Sequence, residues 1–355
     1  MIDFRYHLVS IVAVFLALAI GIVLGSTELQ GAVLAGLRKT SSSLSSQLSV
    51  ATAERDAYAA QAGAADAFLQ ASESLLLGNG RLLAGDRLVV VTEPGAPGPM
   101  VTALEAAATD AGATVTGQVT LQPEFNDLSG ATEATLSAIN GSVAASNSDT
   151  LSGGTDPQTQ TADQQNAAQL IATAILEKQG SQQVQQGQQN QTGLSQASAQ
   201  TLLHAYAQAG FIAVTGSPTN RANLVVIVAP GSVPAAGASD PSNQVLVAVA
   251  REFAGAAGVA VIAGATTPSS QAGSAISVVR SSPVSSQVST VDNADTTQGQ
   301  ITVMQAIATQ LAGGQPNSYG VSGATSVSPA PAPTAPATPT TTTTPTGQPT
   351  NSGKR

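Results

Sequence analysis

"RLVVVTEPG", residues Arg87 to Gly95, is a short apolar run closed by Pro-Gly, and its reading decides the rest of the chain. A half-buried strand alternates apolar and polar residues. A continuous apolar run instead fits a strand buried on both faces, as in a parallel sheet covered by helices. The same form recurs in "NLVVIVAPG" (Asn223 to Gly231) and "GVAVIAG" (Gly258 to Gly264). "ATVTGQVTL" (Ala113 to Leu121), "FIAV" (Phe211 to Val214) and "AISVVR" (Ala275 to Arg280) read as further strands. Helical stretches fall between them, at about Pro99 to Ala111, ended by Gly112, and around Gln244 to Ala254. This alternation predicts an α/β domain over residues 81–322, built on a doubly wound, mostly parallel sheet.

The middle of that domain is less regular. Asn126 to Gln200 is polar apart from one helix, Asp163 to Leu176, for which Asp163 can serve as N-cap. A glutamine-rich insertion occupies about residues 180–193, "SQQVQQGQQNQT" at its heart, and reads as a loop or disordered segment. The most specific stretch is "STVDNADTTQGQITVMQAIATQLAGG", Ser289 to Gly314. Here Asp295 can cap a helix, with Gln298 completing a capping box and Gly313-Gly314 ending it. Asp292 and Asp295 lack the D-x-D-x-D-G register of a calcium loop, so capping accounts for them. Residues 323–355 are Pro/Thr-rich, cannot build a core, and read as a disordered, polyproline-like tail.

Working back to the N-terminus, Leu8 to Gly25 carry no charge. Those roughly 18 residues would extend about 27 Å as a helix, close to the thickness of a bilayer's hydrocarbon core. The A-x-A at the run, Ala17-Leu18-Ala19, lies inside it rather than directly after it, which argues against a cleaved signal. Residues 1–7 therefore read as a cytoplasmic leader and 8–26 as a transmembrane anchor, with the body outside the cytoplasm. Ala13, Ala17, Gly21 and Gly25 recur every fourth residue and form a small-residue stripe of the kind that lets two helices approach in lipid. Residues 30–77 read as a coiled-coil stalk. Its a/d seam is Leu34, Leu37, Leu44, Leu48, Ala51, Tyr58, Ala62, Ala65 and Leu69, with Ser41 and Arg55 as polar interruptions. The helix should end near Gly78-Asn79-Gly80. A parallel homodimer, or a higher homo-oligomer, is expected through Ala13, Ala17, Gly21, Gly25, Leu37, Leu44 and Leu48. A single amphipathic helix packed on its own body is the other reading.

Composition narrows the chemistry. Charged residues are 9% of 355, and the net charge is −9, with only 12 Lys and Arg. Phosphate binding needs clustered cations, so nucleic acid is not an expected partner. With no cysteine there are no disulfides, thiolate metal sites or cysteine nucleophiles. None of G-x-S-x-G, H-E-x-x-H, Walker A or G-x-G-x-x-G occurs. The loops after the strands, where an open sheet binds ligands, are Glu93-Pro94-Gly95, Ala229-Pro230-Gly231-Ser232 and Ala263-Gly264-Ala265-Thr266-Thr267, and Glu93 is their single ionisable residue. An enzyme is not expected, and no catalytic or cofactor-binding residue is assigned. For a metal, the weak candidates are His204, on a helix within "AQTLLHAYAQAG", and Met304, whose helix also aligns Ile301, Ile307 and Leu311. A partly exposed helix residue and a core methionine are the plainer explanations of these two.

Four stretches together resemble a known family: "MIDFRYHLVSIVAVFLALAIGIVLGS" at the N-terminus, "LVVVTEPG", "VTLQPEF" (Val119 to Phe125) and "STVDNAD…GQITV". The chain is similar to the mycobacterial copper transport protein B family of actinobacterial envelope proteins over about residues 1 to 322. The resemblance implies copper efflux and copper homeostasis, with copper ion as the transported species, association with the outer membrane, and a pore. An outer-membrane barrel, however, needs strands of about ten alternating residues and aromatic girdles. These strands are short apolar runs, and the chain has no Trp and only 4 Tyr. A dimeric envelope scaffold that contacts cell-wall polymer or other envelope proteins is the alternative function.

Overall fold

The computed structural model describes residues 3–146, 161–177 and 194–329. The glutamine-rich insertion and most of the Pro/Thr tail lie outside the described residues. The chain divides into two units, Met1–Phe68 and Leu69–Arg355.

Helix α1 (Asp3–Leu76) runs without a break through both the apolar segment and the expected stalk. Its first part, Tyr6–Gly25, has a mean hydropathy of 2.9 and is long and apolar enough to cross a membrane. The helix stops where the sequence indicated. Gly78, Asn79 and Gly80 all take left-handed φ values of 69°, 52° and 74°, a turn that glycine makes without steric cost.

A seven-stranded sheet follows, in the order β3-β2-β1-β4-β5-β6-β7. Strands β1 (Arg87–Thr92), β2 (Thr114–Leu121), β4 (Leu224–Val228), β5 (Ala260–Ala263), β6 (Ser289–Val291) and β7 (Ser318–Tyr319) pair in parallel, and β3 (Ile212–Gly216) joins β2 antiparallel. Side chains of a strand alternate between faces, and both faces are filled. Val89 and Val91 enter one apolar cluster with α4 (Ala162–Ile175), α5 (Gln196–Gln208), α6 (Pro241–Ala257) and α8 (Ala275–Ser281). Leu88 and Val90 enter another with α2 (Gly98–Asp110) and α9 (Thr297–Leu311). This is why β1 and β4 read as unbroken apolar runs.

Several expectations need correction. "AISVVR" is helix α8 rather than a strand: Ser274 caps it by accepting from the Ser277 amide at 3.2 Å, and Ile276 and Val279, three apart, are buried on one face. Its β-branched content misled, because an apolar run this short fits either element. The missing strand is Ser289–Val291, read above only as the approach to a helix. The polar middle also holds α3 (Gly130–Ser146). Helix α4 begins at Ala162 with Thr161 at the N-cap position, so Asp163 sits in the first turn instead of capping it. Three of these helices are tied by polar side chains. Tyr206 of α5 donates to Asn140 Oδ1 of α3 at 2.6 Å, and Asn140 Nδ2 donates to the Asp163 carbonyl of α4 at 3.0 Å.

Candidate functional site

Chain order turns around beside β1, since β2 lies on one side of it and β4 on the other. In an open α/β sheet the crevice outside the carboxyl ends at such a point is where ligands bind. Here the strand pairing runs on past the strand ends, and one backbone bond joins the loops after β1 and β4. Glu93 N donates to Val228 O at 3.0 Å, Gly231 N to Gly95 O at 2.9 Å, and Ala229 N to Ala263 O at 2.8 Å. One step along the sheet, Gly264 N donates to Val291 O at 2.8 Å and Ala294 N to Gly264 O at 2.9 Å.

Glu93 is sealed beneath these loops and is only 2% exposed. Loss of hydration pushes its carboxyl up to about 7 from 4.5, opposed by a hydrogen bond from Asn126. Among the described residues, no group hydrogen-bonds to the buried Glu93 Oε1 or Asn126 Oδ1. The residue is therefore a protonatable group held away from water. General acid–base chemistry needs a substrate within reach of the acid, and Glu93 is buried out of such reach.

The second polar centre was missed in the sequence. Asp292 is fully buried and receives Arg280 Nη1 at 2.9 Å, the Val321 amide at 2.7 Å and the Ser322 amide at 3.0 Å. Arg280 in turn donates to Thr290 Oγ1 at 2.9 Å, Ser322 O at 2.6 Å and Tyr319 O at 2.8 Å. The guanidinium is thus spent on a latch that holds β7 and the following loop against β6. Gly320 belongs to the latch: at φ 127° it packs on the Asp292 carboxylate, leaving no room for a Cβ. The capping box is a further correction. Thr296 caps α9 by accepting from Gly299 N at 3.1 Å, while Asp295 accepts from Thr266 N at 2.9 Å and Thr266 Oγ1 at 2.7 Å. The most specific stretch of the sequence is therefore occupied in joining loops. Only the twelve-residue spacing between Arg280 and Asp292 could have signalled it, and spacing alone does not show which residues meet.

The metal candidates are kept apart. Met304 is 0% exposed in the cluster beneath α9. His204 is exposed on α5, on the opposite side of the sheet, with Nε2 2.9 Å from Gln208 Nε2. Among the described residues, no three His, Cys, Asp or Glu gather as a metal site would require. The dimerisation candidates all lie on α1. A Cβ added at Gly21 or Gly25 meets no atom within 4 Å. Leu37, Leu44 and Leu48 are 61%, 65% and 69% exposed, so the single chain leaves the seam leucines uncovered.

Comparison with known proteins places the chain in a family. A family model described as "Copper transport outer membrane protein, MctB" matches residues 1–329. Proteins named copper transporter MctB are similar along nearly their full length. Those of Mycobacterium tuberculosis (strain H37Rv) and Mycobacterium bovis are 32% identical over 336 residues, 92% of this chain and 99% of theirs. The Mycobacterium leprae protein is 32% identical over 341 residues. The family is named for transport and not for catalysis, in agreement with the resemblance seen in the sequence. The match covers both the apolar helix and the α/β body, and the chain belongs to the MctB family of copper transport outer membrane proteins.

Proposed function

We propose that this chain is a membrane-anchored envelope protein that takes part in copper efflux and copper homeostasis, without enzymatic activity. The observation that carries the reading is the family match over residues 1–329, which includes the body as well as the anchor. Tyr6–Gly25 stays with the mature protein as a single transmembrane helix, the leader faces the cytoplasm, and the body lies outside. Support comes from the span's length and hydropathy and from the lack of an A-x-A site directly after it. The rest of α1 forms a coiled-coil stalk that pairs two copies in parallel through Leu37, Leu44 and Leu48, with the Gly21/Gly25 face packing in the membrane. The sheet is of the doubly wound kind.

Copper passes this protein transiently. A carrier or channel must release what it binds, and carboxylates and backbone carbonyls suffice for passage. A soft, tight Cu(I) site needs several thiolates or thioethers converging on one point. The described body offers Met100 and Met304, both packed in the core. The uncovered seam favours a second reading, a dimeric scaffold for other envelope proteins. Growth of a deletion strain across a copper series separates the two. Heightened copper sensitivity supports the transport reading, and wild-type tolerance would leave the scaffold.

A further inference from the structure

We infer that the groove between the end of α1 and α9 is the place where a second copy of this chain inserts its own α1 end, so that pairing continues beyond the stalk onto the α/β body. The inference rests on the parallel-dimer reading above and extends it. The groove encloses about 520 Å³ and is walled by Leu69, Leu76 and Leu82 on one side and by Ile301, Gln305 and Ala308 on the other. Leu69 is the last seam residue read from the sequence, and Leu76 stands one heptad after it on a helix that does not break before Leu76. Both therefore fall on the stripe that carries Leu48 and Ala62.

Two independent observations thus meet at one place. A seam defined by spacing alone runs into an apolar groove defined by packing alone. Within one chain the stripe is only partly covered here, where the body is close by: Leu69 is half-buried, Leu76 remains 37% exposed, and Leu75 beside it is 71% exposed. In a parallel, in-register pair the partner's Leu69 and Leu76 arrive at the same level as this chain's own, which is the mouth of the groove. The contact is isologous, each copy supplying both the leucines and the α9 wall.

The chain has no cysteine, so introduced cysteines report cleanly. Two differently tagged full-length copies are expressed together in membranes, one carrying Leu76→Cys and the other Gln305→Cys, and are oxidised. The expected product is a disulfide-linked dimer bearing both tags. A second combination, Leu75→Cys with Thr309→Cys, repeats the test at another pair of positions that are not fully buried. Single Leu44→Cys and Leu48→Cys chains run alongside. Stalk crosslinks without the groove crosslinks would overturn this inference while leaving the dimer standing. Absence of both would sink the dimer reading with it. The groove crosslink should persist when residues 330–355 are removed; its appearance only after that truncation would make the tail the occupant and refute the proposal.

Discussion

Replacing Glu93 by glutamine should stabilise the protein at neutral and alkaline pH and have little effect in acid. Glu93 is fully buried with no counter-charge, and its carboxyl is raised from 4.5 to about 7. Below pH 4.5 the group is protonated whether the chain is folded or not, and it adds no pH dependence. Between 4.5 and 7 the unfolded chain gives up the proton while the folded chain keeps it, so stability falls as pH rises, and above about 7 the loss is complete. At about 1.4 kcal/mol per pH unit, that interval amounts to about 3 kcal/mol. Glutamine keeps the shape, carries no charge, and supplies an amide able to donate to the unpaired Asn126 Oδ1. The assay is thermal unfolding of the detergent-solubilised chain and of Glu93→Gln from pH 4 to pH 8.5. For a body of this size the variant should gain roughly 6–12 °C over wild type at the alkaline end. Other carboxylates titrate equally in both proteins and cancel in the difference. A difference that stays flat with pH would refute the reasoning, because Glu93 would then be hydrated or paired in the folded state.

The Arg280–Asp292 latch gives a second expectation. Arg280→Ala leaves Asp292 buried without its cation and should cost about 3–5 kcal/mol, read by chemical denaturation, with new protease cleavage between Ser318 and Ser326. Unchanged stability and resistance would show that the pair is not what holds β7. N-terminal sequencing of the protein from membranes should find the original N-terminus, and a mature chain beginning near Ser26 or Ala32 would contradict retention of the anchor. Copper titration of the purified chain against competing chelators should reveal only weak binding. Tight one-to-one binding abolished by His204→Ala would mean that this exposed histidine finds further ligands, for instance across two copies.

The strands β1, β4 and β5 were legible in the sequence because burial on both faces writes itself as an unbroken apolar run. The end of α1 was legible because a left-handed turn asks for Gly-Asn-Gly. Other features left no such mark. "AISVVR" carries apolar residues at positions that satisfy a strand and one helix face alike, and only the Ser274 cap and its packing decide between them. Strand β6, three residues long, is too short for any period. The Arg280–Asp292 pair depends on which loops the sheet brings together, and that information is tertiary. Glu93 was visible as the lone ionisable residue at the carboxyl ends. Its burial was not, because the strand and loop that pack beside it belong to residues more than a hundred positions away, such as Val228 and Gly231. The seam leucines show the reverse case. Their spacing is plain in the sequence, and in a single chain Leu37, Leu44 and Leu48 stay exposed.

The central claim, an anchored protein acting in copper efflux, is tested most directly by cell-associated copper after a copper challenge. A deletion strain is complemented with the intact chain, or with a form in which Tyr6–Gly25 is replaced by a cleaved secretion signal that releases the body. The account predicts that deletion raises cell copper, that the intact chain restores it, and that the released body does not. Cell copper in the deletion strain equal to that of the parent would contradict the account.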